Sequence, residues 1–183
     1  IAMLDLKEIR EGVIDGYFSP GRYAYLGMLD GLQAPSFKVS EWIKPGATID
    51  LGDRSLTVLA TPGHTSQSAA VLDSANRRLF AGDFIYPTML YAFLPDASLS
   101  AYRKTTHSLL STLPADTILW GAHCCRKDEG YAAPWLTMTD LKDLDRTLAQ
   151  LKAGSDEGDG LFPRRYPVNN EMILGVGFPW NNR

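Results

Sequence analysis

The chain has 183 residues, with 18 lysines and arginines against 21 aspartates and glutamates, a formal net charge of −3, and 45% hydrophobic and 21% charged residues. That balance suits one compact domain with a substantial core and excludes a strongly basic groove that tracks phosphates, so no nucleic-acid partner is expected. No apolar run reaches the roughly 18 to 20 residues of a membrane-spanning helix, and the stretch from Ile1 lacks the basic-then-apolar order of a signal peptide. The expectation is a soluble, cytoplasmic protein without membrane association. Two adjacent cysteines, Cys124 and Cys125, are not a disulfide framework and fit a reducing compartment.

In chain order, a short helical signal over Leu4 to Ile14 comes first, followed by scattered glycine and proline to about residue 45. Short apolar runs then follow at Thr48 to Leu51, Ser55 to Ala60, Ala69 to Leu72 and Arg78 to Ala81, separated by Gly-Asp, Pro-Gly and Ser-Ala-Asn breaks, and predict consecutive strands. Leu99, Tyr102, Thr106, Leu109, Leu110 and Leu113 recur at three-to-four spacing behind Ser98, which predicts a capped amphipathic helix. Thr117 to Trp120 predicts a buried strand. Leu141, Leu144, Leu148 and Leu151 predict a second helix, with Thr137 and Asp140 as a capping box and Gly154 as its stop. The Gly/Asp-rich stretch from Gly154 to Gly160 predicts a surface loop, and Met172 to Val176 a last strand. Helices packed on sheets are the simplest architecture for this order.

Three of these strands run directly into residues of metal-ligating type. Leu56 to Ala60 leads into Thr61-Pro62-Gly63-His64-Thr65, Leu79 to Ala81 into Gly82-Asp83, and Thr117 to Trp120 into Gly121-Ala122-His123. Ligands gather at the carboxyl ends of strands in open sheets, so three such ends bring distant residues together. Imidazole nitrogen and carboxylate oxygen suit zinc. Each taken singly has a plainer explanation: a histidine beside a glycine is commonly a turn or core residue, and an aspartate after a glycine is ordinary turn chemistry.

The Thr-Pro-Gly-His-Thr element at 61–65, followed by Leu-Phe-Ala-Gly-Asp at 79–83, resembles the second half of the metallo-β-lactamase superfamily, in particular its glyoxalase II-like and lactonase-like branches. Gly121-Ala122-His123 is similar to the family's last ligand element, usually Gly-His, with Ala122 inserted. The resemblance spans about Thr48 to His123. It implies an α/β protein with the αβ/βα four-layer sandwich, of which this chain is the carboxyl-terminal part, organised as a single domain over residues 1–183 that lacks an amino-terminal segment. It further implies two zinc ions, with iron or manganese as alternative metals, His64 binding the first, Asp83 bridging both and taking part in catalysis, and His123 binding the second. The implied activity is hydrolysis by a metal-held hydroxide of a small-molecule thioester, lactone or related carbonyl substrate. The family's upstream His-x-His-x-Asp-His motif is absent from these 183 residues, which contain only three histidines. Three ligands shared by two ions are fewer than the three or four per ion of a typical zinc site, so weak metal binding is expected of the chain by itself.

The resemblance also gives Tyr86 a substrate-facing, catalytic role through a hydrogen bond to a developing oxyanion, with packing as the alternative. Tyr91 and Phe93, with Leu90 and Leu94, are expected in the core or as the wall of an acyl or aromatic pocket. His107 is expected on the surface, off the helix stripe. Cys124 is a minor ligand candidate, and Arg126 and Lys127 are expected in a solvated loop with affinity for anions as the second reading. A non-catalytic binding or scaffold domain of the same ancestry is the alternative function, and a redox branch of the family a third. The sequence is compatible with an oligomer and does not specify one.

Overall fold

The computed structural model describes residues 41–94, 96–123, 126–127, 130–131, 133–154 and 158–177, the backbone alone at 126, 127, 130 and 131. The expected helix at Leu4 to Ile14, Cys124, and the side chains of Arg126 and Lys127 lie outside that description.

Among the described residues, eleven strands and two helices follow one another: β1 (Thr48–Asp50), β2 (Ser55–Ala60), β3 (Ala69–Asp73), β4 (Arg78–Gly82), β5 (Thr88–Ala92), α1 (Leu99–Thr112), β6 (Ile118–Gly121), β7 (Arg126–Lys127), β8 (Gly130–Tyr131), β9 (Trp135–Thr137), α2 (Met138–Lys152), β10 (Arg164–Pro167) and β11 (Met172–Val176). A six-stranded sheet has the order β1-β2-β3-β4-β6-β9, a three-stranded sheet the order β10-β11-β5, and β7 pairs with β8.

The β2-β3 and β3-β4 pairs are antiparallel and the β4-β6 pair is parallel. Strands β2, β4 and β6 therefore run the same way and deliver their carboxyl ends to one edge of one sheet. Register keeps like residues together on each face. Leu72, Leu79, Leu119 and Leu136 stand opposite one another along one row, and the last three are almost wholly buried. Burying such a leucine is worth about 1.5–3 kcal/mol. Val71, Phe80, Trp120 and Trp135 form the row on the other face, where Phe80 and Trp135 are exposed.

The leucine row joins a single cluster with Tyr102 and Leu109 of α1, Leu141, Leu144 and Leu148 of α2, and Leu90, Met172 and Leu174 of the second sheet. Both helices begin where their caps specify. The Ser98 hydroxyl accepts from the Ala101 N–H at 3.2 Å, and Thr137 and Asp140 form a reciprocal capping box, each cap contributing about 1 kcal/mol. Asn169 then donates to Asp140 and Asp143, which ties the approach to β11 onto α2. Sheet layers that share a core with helices make the α/β arrangement that the element order predicts. Among the described residues no helix is long and apolar enough to cross a membrane.

Candidate metal centre

The common edge of β2, β4 and β6 carries His64, Asp83 and His123. Asp83 and His123 meet there, and two backbone features bring them together. Gly82 has φ +56°, in the left-handed region, just after an irregularity in the β4-β6 register, so β4 bends immediately before Asp83 while Gly82 stays paired with Gly121. The Ala122 N–H donates to the Gly82 carbonyl at 2.9 Å, so the inserted alanine continues the pairing of the two strand ends. Gly121 allows the close approach. A Cβ at that position would lie 2.3 Å from the Tyr86 Cβ and 2.6 Å from the Ile85 carbonyl oxygen.

His123 Nε2 lies 2.9 Å from Asp83 Oδ1. That oxygen is buried and yet has no hydrogen-bond partner, so the two atoms face each other without the alignment of a hydrogen bond. At that distance the pair is an ion pair only when the imidazole is protonated. An imidazole nitrogen 2.9 Å from a carboxylate oxygen that lacks a hydrogen-bond partner offers two donor atoms of the kind a divalent cation takes.

His64 is placed by a different device. Its Nδ1 lies 3.0 Å from the Tyr91 carbonyl oxygen. A carbonyl only accepts, so this contact selects the tautomer with Nδ1 protonated and leaves the Nε2 lone pair for a ligand, the usual outer support of a metal-binding histidine. The loop around it is closely tied. The Thr105 hydroxyl donates to the Pro62 carbonyl at 2.7 Å, the Ser98 N–H to the Gly63 carbonyl at 2.9 Å, and the Asp96 carboxylate accepts from both the N–H and the hydroxyl of Ser66 at 2.9 and 2.8 Å. The entry to α1, through Asp96 and Ser98, and the body of α1, through Thr105, are thus fastened to the His64 loop. Asp96, Thr105 and the Tyr91 carbonyl were not singled out by sequence reasoning. Nothing local marks them, because each acts on residues about 27 to 43 positions away.

Among the described residues, no group of three or more His, Cys, Asp or Glu side chains converges to hold a metal ion. The sheet order accounts for the spacing: β3 stands between β2 and β4, and two inter-strand steps are roughly 10 Å. Asp83 and His123 come together from neighbouring strands, while His64 sits farther along the same edge.

Tyr86 is buried, and its hydroxyl donates to the Met89 carbonyl at 2.8 Å. Its ring meets that of His123 edge-on, centroids 5.0 Å apart. Burial, and then the nearby Asp83 carboxylate, push its phenol well above the usual value of 10, so it stays neutral at physiological pH. Tyr91 is on β5 and half-exposed, Phe93 follows it, and His107 is on the surface of α1 as expected.

The sequence profile described as the metallo-β-lactamase superfamily matches residues 4–123. The acyl-coenzyme A thioesterase MBLAC2 of Gallus gallus is 37% identical over 76 residues, 42% of this chain and 27% of that protein. The hydroxyacylglutathione hydrolase of Mesorhizobium japonicum is 28% identical over 88 residues, 46% of this chain and 32% of that protein. The chain thus spans about a third or less of the length of these two relatives. The crystal structure of an archaeal metallo-β-lactamase superfamily protein from Sulfolobus tokodaii superposes with a TM-score of 0.51 at 14% identity, covering 87% of this chain and 56% of that one, a likeness of fold alone. With its profile matched over well over half its length, the chain belongs to the metallo-β-lactamase superfamily.

Proposed function

We propose that the protein hydrolyses acyl thioesters at a divalent-metal centre to which His64, Asp83 and His123 contribute ligands, with zinc the expected metal and iron or manganese the alternatives. The observation that supports the metal part is the buried Asp83 Oδ1, which has no hydrogen-bond partner and lies 2.9 Å from His123 Nε2, on the strand edge where the Tyr91 carbonyl takes up His64 Nδ1. The substrate class is supported by the relatives, one named for acyl-coenzyme A thioester cleavage and another for hydroxyacylglutathione hydrolysis.

A divalent cation bound at such a site supplies Lewis acidity and lowers the pKa of water. The side chains do the rest. Asp83 brings a compensating negative charge to the edge, and its second oxygen remains available for a hydrogen bond or a further ligand bond. His64 is held in one tautomer by the Tyr91 carbonyl, so its ligand nitrogen is set before anything binds. Tyr86 packs against the His123 ring in an edge-type contact. Donation of the Tyr86 hydroxyl to a substrate oxyanion, the catalytic role expected from the sequence, requires it to leave the Met89 carbonyl first.

The test is hydrolysis of acyl thioesters by the whole protein, followed through the released thiol. His64→Ala and Asp83→Asn should each lower kcat/KM by about 100-fold or more, since even outer-shell partners of metal ligands cost 10–100-fold, and a chelator should inhibit the wild type. Full activity in both variants, insensitive to chelator, would remove the proposal.

A further inference from the structure

The strand that holds His64 also begins an aromatic surface leading away from it. On β5, Leu90 and Ala92 point into the core and are fully buried, while Tyr91 is 40% exposed. The Phe93 ring lies 4.9 Å from that of Tyr91, tilted by 40°. Phe162, 54% exposed, meets Phe93 edge-on at 5.9 Å and 72°. Gly175 of β11 stands opposite Tyr91 in the register, and a Cβ there would lie 3.2 Å from the Phe93 ring and 3.3 Å from the Met89 sulfur. The missing side chain at 175 is what lets Phe93 lie down against the sheet. Ile173, opposite Met89 on the same face, is also exposed.

We propose that Tyr91, Phe93 and Phe162, flanked by Met89 and Ile173, form a strip that binds the acyl chain of the substrate and sets its preferred length. This rests on the thioester reading above. The strip is continuous with the candidate centre, because the residue that opens it, Tyr91, accepts the His64 Nδ1–H through its own carbonyl. A hydrocarbon chain fits the ring arrangement better than a flat group does: successive planes turn by 40° and 72°, so no two rings offer parallel faces for stacking, whereas a flexible chain follows the turns. A protein partner is disfavoured by size. Three partly covered rings at 150–250 Å² each supply a few hundred Å², below the roughly 800 Å² per side of a stable interface.

The experiment measures kcat/KM of the whole, metal-loaded protein on straight-chain acyl-pantetheine thioesters from acetyl to decanoyl, beside calorimetric titration with butyrate and octanoate. Where the chain lies on the rings, kcat/KM should rise by up to about fourfold per methylene, the gain expected for burying one CH₂. Phe162→Ala and Phe93→Ala should flatten the rise, lowering kcat/KM for the decanoyl thioester by a much larger factor than for the acetyl thioester. Phe162 is half-exposed and can be truncated without opening the core, so that variant remains informative if Phe93→Ala fails to fold. A flat wild-type series, or a slope unchanged in both variants, would overturn the strip. If no thioester is hydrolysed but octanoate binds at least about tenfold more tightly than butyrate, and Phe162→Ala removes the difference, the thioester reading falls and the strip stands. Equal binding of the two carboxylates in the wild type would overturn the strip itself.

Discussion

The two parts of the candidate centre differ in the balance of what positions them, with directed bonds dominant at the His64 loop, although Gly63 there is pressed on Tyr102, and close packing dominant at Asp83 and His123, although the Ala122 N–H also donates to Gly82. The His64 loop is held by polar ties: Thr105, the Ser98 N–H, Asp96 and the Tyr91 carbonyl each make a directed bond to it. The Asp83–His123 side is held by packing and backbone geometry: a left-handed glycine at 82, a glycine at 121 pressed on Tyr86, and the edge of the Tyr86 ring on His123. Directed bonds come in steps of about 1 kcal/mol and can be lost one at a time. Close packing fails as a unit, because neither Cβ nor backbone can yield by an ångström.

The contrast predicts the largest effect at Gly121→Ala. Its new Cβ would overlap the Tyr86 Cβ and the Ile85 carbonyl, so a loss of about 3 kcal/mol is expected, at the upper end of overpacking costs, read as a lower midpoint of urea unfolding. Tyr86→Ala should come close behind, by about 3 kcal/mol, since it empties a buried ring site. Tyr86→Phe keeps the ring and loses only the bond to Met89, at about 1 kcal/mol.

The same tyrosine gives a pH test. Its folded pKa is raised, so the native state holds the phenolic proton longer than the unfolded chain does. The stabilisation is complete below the unfolded value near 10 and is lost as pH rises above it. Tyr102, fully buried on α1, shifts the same way. Unfolding midpoints should therefore fall above about pH 10, less steeply in Tyr86→Phe. An equal slope in both proteins would assign the alkaline loss elsewhere.

Smaller effects belong to the polar side. Thr105→Val removes one hydroxyl bond and should cost about 1 kcal/mol. Asp96→Ala removes two bonds that lie in solvent, so stability should change by less than about 1 kcal/mol, while metal affinity falls by about tenfold as the loop loosens. If Asp96→Ala proved as damaging as Gly121→Ala, the division between the two sides would be wrong.

How much of this was legible in the sequence follows the same division between local and distant causes. Strands β1 to β4, β6 and β11 and both helices lie within a residue or two of their expected bounds, since alternation, caps and turn residues are local. Ser98, Thr137 with Asp140, and the turn that Asn76 closes by donating its N–H and amide to Asp73 are examples. Strand β5 was visible only as an apolar stretch, because its partner β11 lies some 80 residues away and pairs in parallel. Strand β10 was invisible: Arg-Arg-Tyr-Pro is a polar edge strand that ends in proline. The strand-end glycines marked the edge where the three ligand candidates stand. They did not reveal that β3 separates His64 from the other two, nor that the Tyr86 hydroxyl is given to Met89.

The most direct test of the central claim is the metal content of the purified whole protein, measured by inductively coupled plasma mass spectrometry for wild type, Asp83→Asn and His64→Ala. The account predicts divalent transition metal in the wild type, at one equivalent or more per chain, and loss of most of it in both variants. Unchanged metal in both, or a wild type that hydrolyses thioesters with none bound, would contradict it.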